Sequence, residues 1–378
     1  MKKILILVDW FAPGYKAGGP IQSCVNICAA LNKEYKIYVL TTDTDHGVSE
    51  PYHGITAGEW ITEPSLNVAV CYLEKKTISA KKIKEQLLFI NADTIYLNHL
   101  FSPLFVVYPL WLRLSGSITN RVVVCPRGAL YESALDVKRY KKIPLLFVYK
   151  RMNIQRKVVF HATNLREKKA IQSYFPGSEV MVADNLPNTK QLSFKSIKKE
   201  PGTVNCIFIA RIVPIKNLLF LLSALQTVNS KVTLTVVGPV ENEGYWQQCR
   251  DLISTLPLNI TVNYIGPRPN SELHSLIQQH HLFISPTTGE NFGHGIFESF
   301  LAGRPVLISD QTPWLQLEKE QAGWDLPLQN TDAFTEVLDK VGNYNQDTFD
   351  VYAKGAWQYA AFYINNKMSR EEYFKLFG

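Results

Sequence analysis

Glu290 and Glu298, with seven residues between them, flank a glycine-containing turn in the stretch 286–310, PTTGENFGHGIFESFLAGRPVLISD. A helix opening at Gly293 to Gly295 aims backbone N–H groups and the positive end of its dipole at whatever lies beyond it. That favours a phosphate or an electron-rich sugar, so the pair reads as a grip for a sugar nucleotide. Such residues need a frame. The short apolar run 281–285 predicts a buried parallel strand, 287–294 a loop at its carboxyl end, 295–302 a helix and 305–309 the next strand. Ligands sit at the carboxyl ends of strands in such sheets, which puts Glu290 at the loop mouth and Glu298 inside the helix. Taken alone, two glutamates near a helix start serve as readily as capping or solvated charges.

The spacing, with Phe292-Gly293 just after the first glutamate, resembles the signature of family 4 glycosyltransferases, a retaining group with the two-domain GT-B fold. Ala302-Gly303-Arg304-Pro305-Val306 continues the pattern, and Ser309-Asp310 with Pro313-Trp314 suits a branch that assembles bacterial surface polysaccharides. The resemblance implies an α/β chain of two Rossmann-like domains whose parallel sheets face across a cleft. It gives Glu290 the donor sugar and Glu298 the ribose hydroxyls, with Asn291, Phe292, Gly293, His294 (through its amide) and Gly295 beside them. A departing diphosphate needs fixed positive charge where its own charge develops. Arg211 and Lys216 follow the strand expected at 204–210 in the family's order of arginine, four residues, lysine, which implies two diphosphate ligands. Outside that frame the same pair is ordinary surface charge. Glu290, Arg211 and Lys216 are thus the expected catalytic residues.

The glycine-rich run 13–20, PGYKAGGP, follows the first strand and precedes a helix. Paired glycines let backbone approach a ligand closely, and the family places such a loop against the donor phosphate, so Gly18 and Gly19 are donor-side candidates. The spacing of a dinucleotide fingerprint is absent. His99 and Arg127 each follow an expected strand and are candidates for the acceptor side. Many family members carry a histidine where this chain has Arg127, which suits a phosphate of the acceptor. Gly238, Gly266 and Arg268 close two further strands and are expected to hold the base, with a leaning toward UDP. No Asp-x-Asp pair stands at a strand end, and the two cations do the work of a divalent ion, so no metal or cofactor is expected beyond the donor itself.

Strand-like and helical runs alternate in two blocks, the pattern of two α/β domains. Strands are expected at 4–8, 37–41, 68–72, 94–97, 122–125, 158–161 and 180–182, then at 204–210, 232–237, 261–265, 281–285 and 305–309. Residues 188–202, with Lys190, Lys195, Lys198, Lys199 and Pro201, lose periodicity and read as a linker. The expected domains are 1–187 on the acceptor side and 203–345 for the nucleotide-sugar. A helical segment, 346–378, is left; its aromatics need a partner, and in GT-B enzymes the last helix crosses back to the first domain.

With 378 residues, two domains are the default. The start shows no secretory signal, no window has the length of a membrane span, and the six cysteines lie scattered without zinc or Cys-x-x-Cys spacing. The expectation is a cytoplasmic protein with reduced thiols. The net charge of +7 divides into +12 over residues 1–200 and −5 over 201–378. Lys138 to Lys157 holds eight cations and no acid around the apolar run 145–149. That mixture suits an anionic membrane surface and a peripheral location on the inner face of the cell membrane; a solvated basic helix is the plain alternative. No nucleic-acid motif accompanies the charge.

The expected function is transfer of a sugar from a nucleotide-sugar to a lipid-linked saccharide in polysaccharide biosynthesis. The alternatives are a GT-B epimerase, which needs catalytic carboxylates that do not stand out in the first domain, and a catalytically silent membrane-associated protein, against which the intact Arg211, Lys216, Glu290 and Glu298 speak. Incubation with several sugar nucleotides separates them by whether the donor is hydrolysed.

Overall fold

The computed structural model describes residues 1–136, 138–187, 194–366 and 370–378. The chain divides into two compact units, Met1–Leu186 with Met368–Gly378, and Pro187–Lys367.

The first unit is built on eight strands: β1 (Lys3–Leu7), β2 (Lys36–Thr42), β3 (Trp60–Glu63), β4 (Val68–Leu73), β5 (Thr94–Asn98), β6 (Arg121–Cys125), β7 (Val159–Ala162) and β8 (Glu179–Val182). Their order in the sheet is β3-β4-β2-β1-β5-β6-β7-β8. Helices α1 (Gly19–Leu31), α2 (Ala80–Ile90), α3 (Tyr108–Leu114), α4 (Glu132–Asp136), α5 (Arg139–Arg151) and α6 (Leu165–Tyr174) intervene. The central strands are apolar on both faces because helices cover both. Along β1, Leu5 and Leu7 enter one core while Ile4 and Ile6 enter the other, as the two-residue period of a strand requires.

The second unit has six parallel strands: β9 (Thr203–Ile209), β10 (Lys231–Val237), β11 (Ile260–Tyr264), β12 (Leu282–Ser285), β13 (Val306–Ser309) and β14 (Gly323–Leu326), in the order β11-β10-β9-β12-β13-β14. Its helices are α7 (Leu218–Leu225), α8 (Glu243–Ile253), α9 (Asn270–Gln278), α10 (His294–Leu301), α11 (Thr331–Gly342) and α12 (Gln346–Asn366).

The structure adds two strands to those expected and gives the linker and the tail a more definite form. β3 runs antiparallel to β4 and was not foreseen; as an edge strand it is only half-buried and lacks an apolar run. β14, the other unforeseen strand, is four residues long and begins at a glycine. The expected linker is anchored over its described part: the buried Lys199 ammonium caps the carbonyls of Gly342 and Tyr344, and Arg304 reaches Lys195. Residues 188–193 of it, Lys190 included, lie outside the described residues. Finally, the tail divides. Tyr359 and Tyr363 of α12 pack on Trp314 in the second unit, whereas Tyr373 and Phe377 of a last helix, α13 (Glu371–Phe377), pack on His161 and Tyr96 in the first.

Candidate active site

In the second sheet the strand order changes direction between β9 and β12, and a crevice opens at the carboxyl ends of two strands where this happens. The chain leaving β9 carries Arg211 and Lys216; the chain leaving β12 carries Glu290 and leads into α10 with Glu298. Topology thus brings the four charged candidates to one edge. Two hydrogen bonds sew the loops together, from Thr288 N and Thr287 Oγ1 to the Ile215 carbonyl, each at 2.9 Å. Lys216 closes a short 3-10 turn, Pro214–Lys216, two residues before α7 begins at Leu218.

Lys216 Nζ meets Glu290 Oε2 at 2.6 Å. Burial pushes the Glu290 carboxyl up, but the Lys216 ammonium and the Asn291 N–H on Oε1 outweigh it and hold the group below the usual carboxylate range. Glu290 N donates to the Gln311 carbonyl, which fixes the loop against the chain beyond β13. Phe292 is buried against Trp314, whose indole N–H donates to the Phe292 carbonyl. Gly293, at φ +81°, ends the loop in the left-handed region, where a Cβ would come within 2.7 Å of the Ile296 side chain; only glycine suits it. His294 is the first residue of α10, its ring on Phe292, and Gly295 follows.

Glu298 stands one turn after His294 on the same helix face. Its carboxylate has no hydrogen-bond partner among the described residues, and burial pushes its pKa up to about 7. Arg211 pairs with Glu241 at 2.9 Å. Gly238 N donates to the Gly266 carbonyl, and Tyr264 Oη to that of Gly238, which ties the ends of β10 and β11. At φ +141°, a Cβ on Gly238 would sit 1.9 Å from the Ala210 carbonyl oxygen. Arg268 is exposed beyond this turn.

The other candidates belong to the first unit, at the carboxyl ends of β1, β5 and β6. Gly18 and Gly19 open α1, Gly18 at φ +69°. His99, at φ +108°, donates its amide to the Cys125 carbonyl and accepts from Phe101 N on Nδ1. Arg127, at φ +56°, takes a backbone conformation that costs a residue with a Cβ about 1–2 kcal/mol. Its Nε donates to Asn98 Oδ1 at 2.7 Å and its Nη2 to Tyr96 Oη at 3.0 Å, and Nη1 bonds Asn185 Oδ1.

Two carboxylates that the sequence reading passed over stand here. Asp45 accepts the amides of Tyr15, Lys16 and His46, at 2.9, 3.1 and 2.7 Å, and so shapes the glycine loop. With both oxygens engaged by backbone it is a clamp. Asp9, just past β1, accepts from Ser102 Oγ at 2.7 Å, and burial pushes its carboxyl up. The Thr-Asp-Thr-Asp run after β2 was the available signal, and its Asp43-Thr44-Asp45 corrects the expectation that no Asp-x-Asp pair stands at a strand end. Among the described residues no group of three or more His, Cys, Asp or Glu side chains has the arrangement of a metal site.

Residues 189–348 match the model of the family described as glycosyl transferases group 1. No curated protein matches the chain by sequence. Among solved structures, Anabaena HepE in complex with UDP-glucose is similar at 16% identity and a TM-score of 0.73, over 100% of this chain and 99% of that one. Sucrose-phosphate synthase from Thermosynechococcus elongatus aligns over the same shares at 14% identity and a TM-score of 0.71. WaaG, a glycosyltransferase involved in lipopolysaccharide biosynthesis, aligns over 95% of each chain at 13% and 0.61. At such identities the likeness is one of fold, and these neighbours are GT-B glycosyltransferases. The matched segment 189–348 contains all four charged residues of the β9–β12 edge; over it the chain is similar to the glycosyl transferases group 1, and the fold of the chain is GT-B.

Proposed function

We propose that this glycosyltransferase moves a sugar from a UDP-sugar to a lipid-linked saccharide, with retention at the anomeric carbon and without a metal. The observation that carries the reading is the convergence of Arg211, Lys216, Glu290 and Glu298 at the β9–β12 switch point. A nucleoside diphosphate bound there meets two cations for its phosphates and an unpartnered carboxylate, Glu298, for its ribose hydroxyls. Glu290, kept ionised by Lys216, faces the sugar. In the step itself the bond from the anomeric carbon to the β-phosphate oxygen breaks. The acceptor oxygen bonds to the same face, and its proton passes to the departing phosphate. Arg211 and Lys216 take up the charge that forms on that phosphate. UDP as the nucleotide is supported by the fold likeness to HepE, which was crystallised with UDP-glucose.

A lipid-linked acceptor is supported by α5. Leu146 and Tyr149 turn into the core, so only part of the apolar run is available. Tyr140 and Phe147, 72% and 68% exposed, stand among Lys138, Arg139, Lys141, Lys150 and Arg151. Lys142 is spent on the Ala134 carbonyl and the Phe101 ring. Exposed aromatics with cations fit the headgroup region of an anionic bilayer, which supports a peripheral location at the cytoplasmic face. Among the described residues no helix is long and apolar enough to cross a membrane.

The test is a panel of sugar nucleotides with a lipid-phosphate saccharide acceptor, read by mass spectrometry. Transfer from one UDP-sugar with the product in the donor's anomeric configuration, undiminished by a chelator, is expected. Conversion of the donor to an epimer, or no turnover of any donor, overturns the reading.

A further inference from the structure

Four successive residues at the end of the first unit's main segment are each held by a different element. The Ala183 carbonyl accepts from His161 Nε2 of β7 at 2.8 Å, and the Asp184 carbonyl from Tyr373 Oη of α13 at 3.0 Å. The Asn185 amide oxygen accepts from Arg127 Nη1, and the Leu186 carbonyl from Asn26 Nδ2 of α1 at 2.7 Å. The second compact unit begins at the next residue.

Arg127 lies at the centre of this arrangement. Its neighbour Gly128 is pinned by the buried Glu167, whose Oε1 accepts the Gly128 amide at 2.6 Å while Oε2 holds Thr163. That bond fixes the turn from which the guanidinium fans out. One arm reaches Tyr96 Oη, which in turn faces His161 Nδ1 at 2.9 Å. Because His161 Nε2 faces a carbonyl, it carries the ring proton, and Nδ1 accepts from the Tyr96 hydroxyl. Burial pushes this imidazole down to about 3, so it stays neutral. A second arm reaches Asn98, whose Nδ2 donates to the carbonyl of Pro20 at 3.4 Å, the residue after Gly18 and Gly19. The third reaches Asn185.

We propose that Arg127 is a positioning residue: acting through Asn98 and Asn185, it holds the Gly18–Pro20 start of α1, where the glycine loop ends, and the 183–186 segment in one register, and it is not a ligand for the acceptor. This replaces the acceptor-phosphate role expected from the sequence. The functional weight given to the loop rests on the proposed sugar transfer; the structural coupling does not. A planar fork with three different acceptors is the geometry that lysine cannot reproduce.

The experiment compares wild type with Arg127→Gln, Arg127→Lys and Asn185→Ala, by backbone hydrogen exchange without substrate and by steady-state kinetics. Both Arg127 variants are expected to raise exchange on the order of tenfold in peptides covering 18–27 and 180–186. Their turnover should fall about as much, with the acceptor KM within twofold of wild type. Asn185→Ala, a smaller cut that keeps the guanidinium, should raise exchange at 180–186 alone, and it carries the test if the Arg127 variants fail to fold. Unchanged exchange in the folded variants overturns the proposal. So does a large rise in acceptor KM for Arg127→Gln that Arg127→Lys restores, since a phosphate ligand behaves that way. Exchange is read without turnover, so failure of the sugar-transfer reading leaves the positioning result standing.

Discussion

Lys216 Nζ and Glu290 Oε2 lie 2.6 Å apart although 74 positions separate them in the chain, and their side chains are only 17% and 22% exposed. The pair forms because β9 and β12 are hydrogen-bonded neighbours. Each partner prepares the other: the ammonium keeps the carboxylate ionised, and the carboxylate aims an ammonium that still has protons to offer a phosphate. Lys216→Ala is therefore expected to lower turnover about a hundredfold, since it removes a preorganised cation from the leaving group. It should also raise the Glu290 pKa, because burial is then less opposed. Glu290, held low in the wild type, is ionised in the fold down to acid pH; without Lys216 the acid limb of the pH–rate profile moves to higher pH. An unmoved limb, or turnover within a few-fold of wild type, contradicts the assignment.

Glu298 titrates in the opposite direction. Its pKa is raised from 4.5 to about 7 by burial, so the fold takes up a proton between those values. The corresponding stability is full below 4.5 and is lost as pH rises toward 7. Ribose hydroxyls favour the ionised form. Calorimetry with UDP should therefore show affinity rising on the order of tenfold from pH 6 to 8, with Glu298→Gln both weaker and flat across that range. A wild-type affinity independent of pH would remove Glu298 from the site.

Arg211 is held by Glu241 at 2.9 Å, with side chains 37% and 21% exposed. A diphosphate that takes Arg211 must displace this carboxylate. A pair this exposed is worth roughly 0.2–1 kcal/mol, so Glu241→Gln is expected to tighten UDP binding about two- to fivefold, while Arg211→Ala weakens it. Weaker binding on loss of Glu241 would mean that the ion pair orients Arg211 productively.

Gly238 has no room for a side chain, because a Cβ would meet the Ala210 carbonyl at 1.9 Å. Gly238→Ala should destabilise the second unit by more than about 1 kcal/mol by pushing β9 and β10 apart at their carboxyl ends. Thermal unfolding checks this, and an unchanged midpoint rules out the close approach.

The membrane reading predicts binding to anionic liposomes that falls steeply with ionic strength. Each cation near the lipid contributes about 1 kcal/mol. Replacing Lys138, Lys141, Lys150 and Arg151 with glutamine should release the protein in a sedimentation assay and leave donor hydrolysis intact. Vesicle binding equal to wild type would make α5 a solvated face.

Much of this protein is legible along the chain because the signals are local. Continuous apolar runs mark the strands that helices bury on both faces, and the run from Pro286 to Asp310 carries loop, helix and strand in one stretch. Short edge strands carry no such signal: β3 is half-buried, and β14 starts at Gly323, so neither shows an apolar run. Sequence spacing also placed Arg211, Lys216 and Glu290 just after strand ends and Glu298 in the helix that follows. It does not contain their pairing, because which strands are neighbours depends on the order β10-β9-β12-β13, and that order sets Lys216 on Glu290 and Arg211 on Glu241. The same holds for the first unit. Arg127 reads as a free cation at a turn until the fold brings Asn98, Tyr96 and Asn185 around it from three separate segments. Charge and residue type are properties of the sequence; whether a charge is spent on a neighbour or left for a ligand is decided only when distant segments meet.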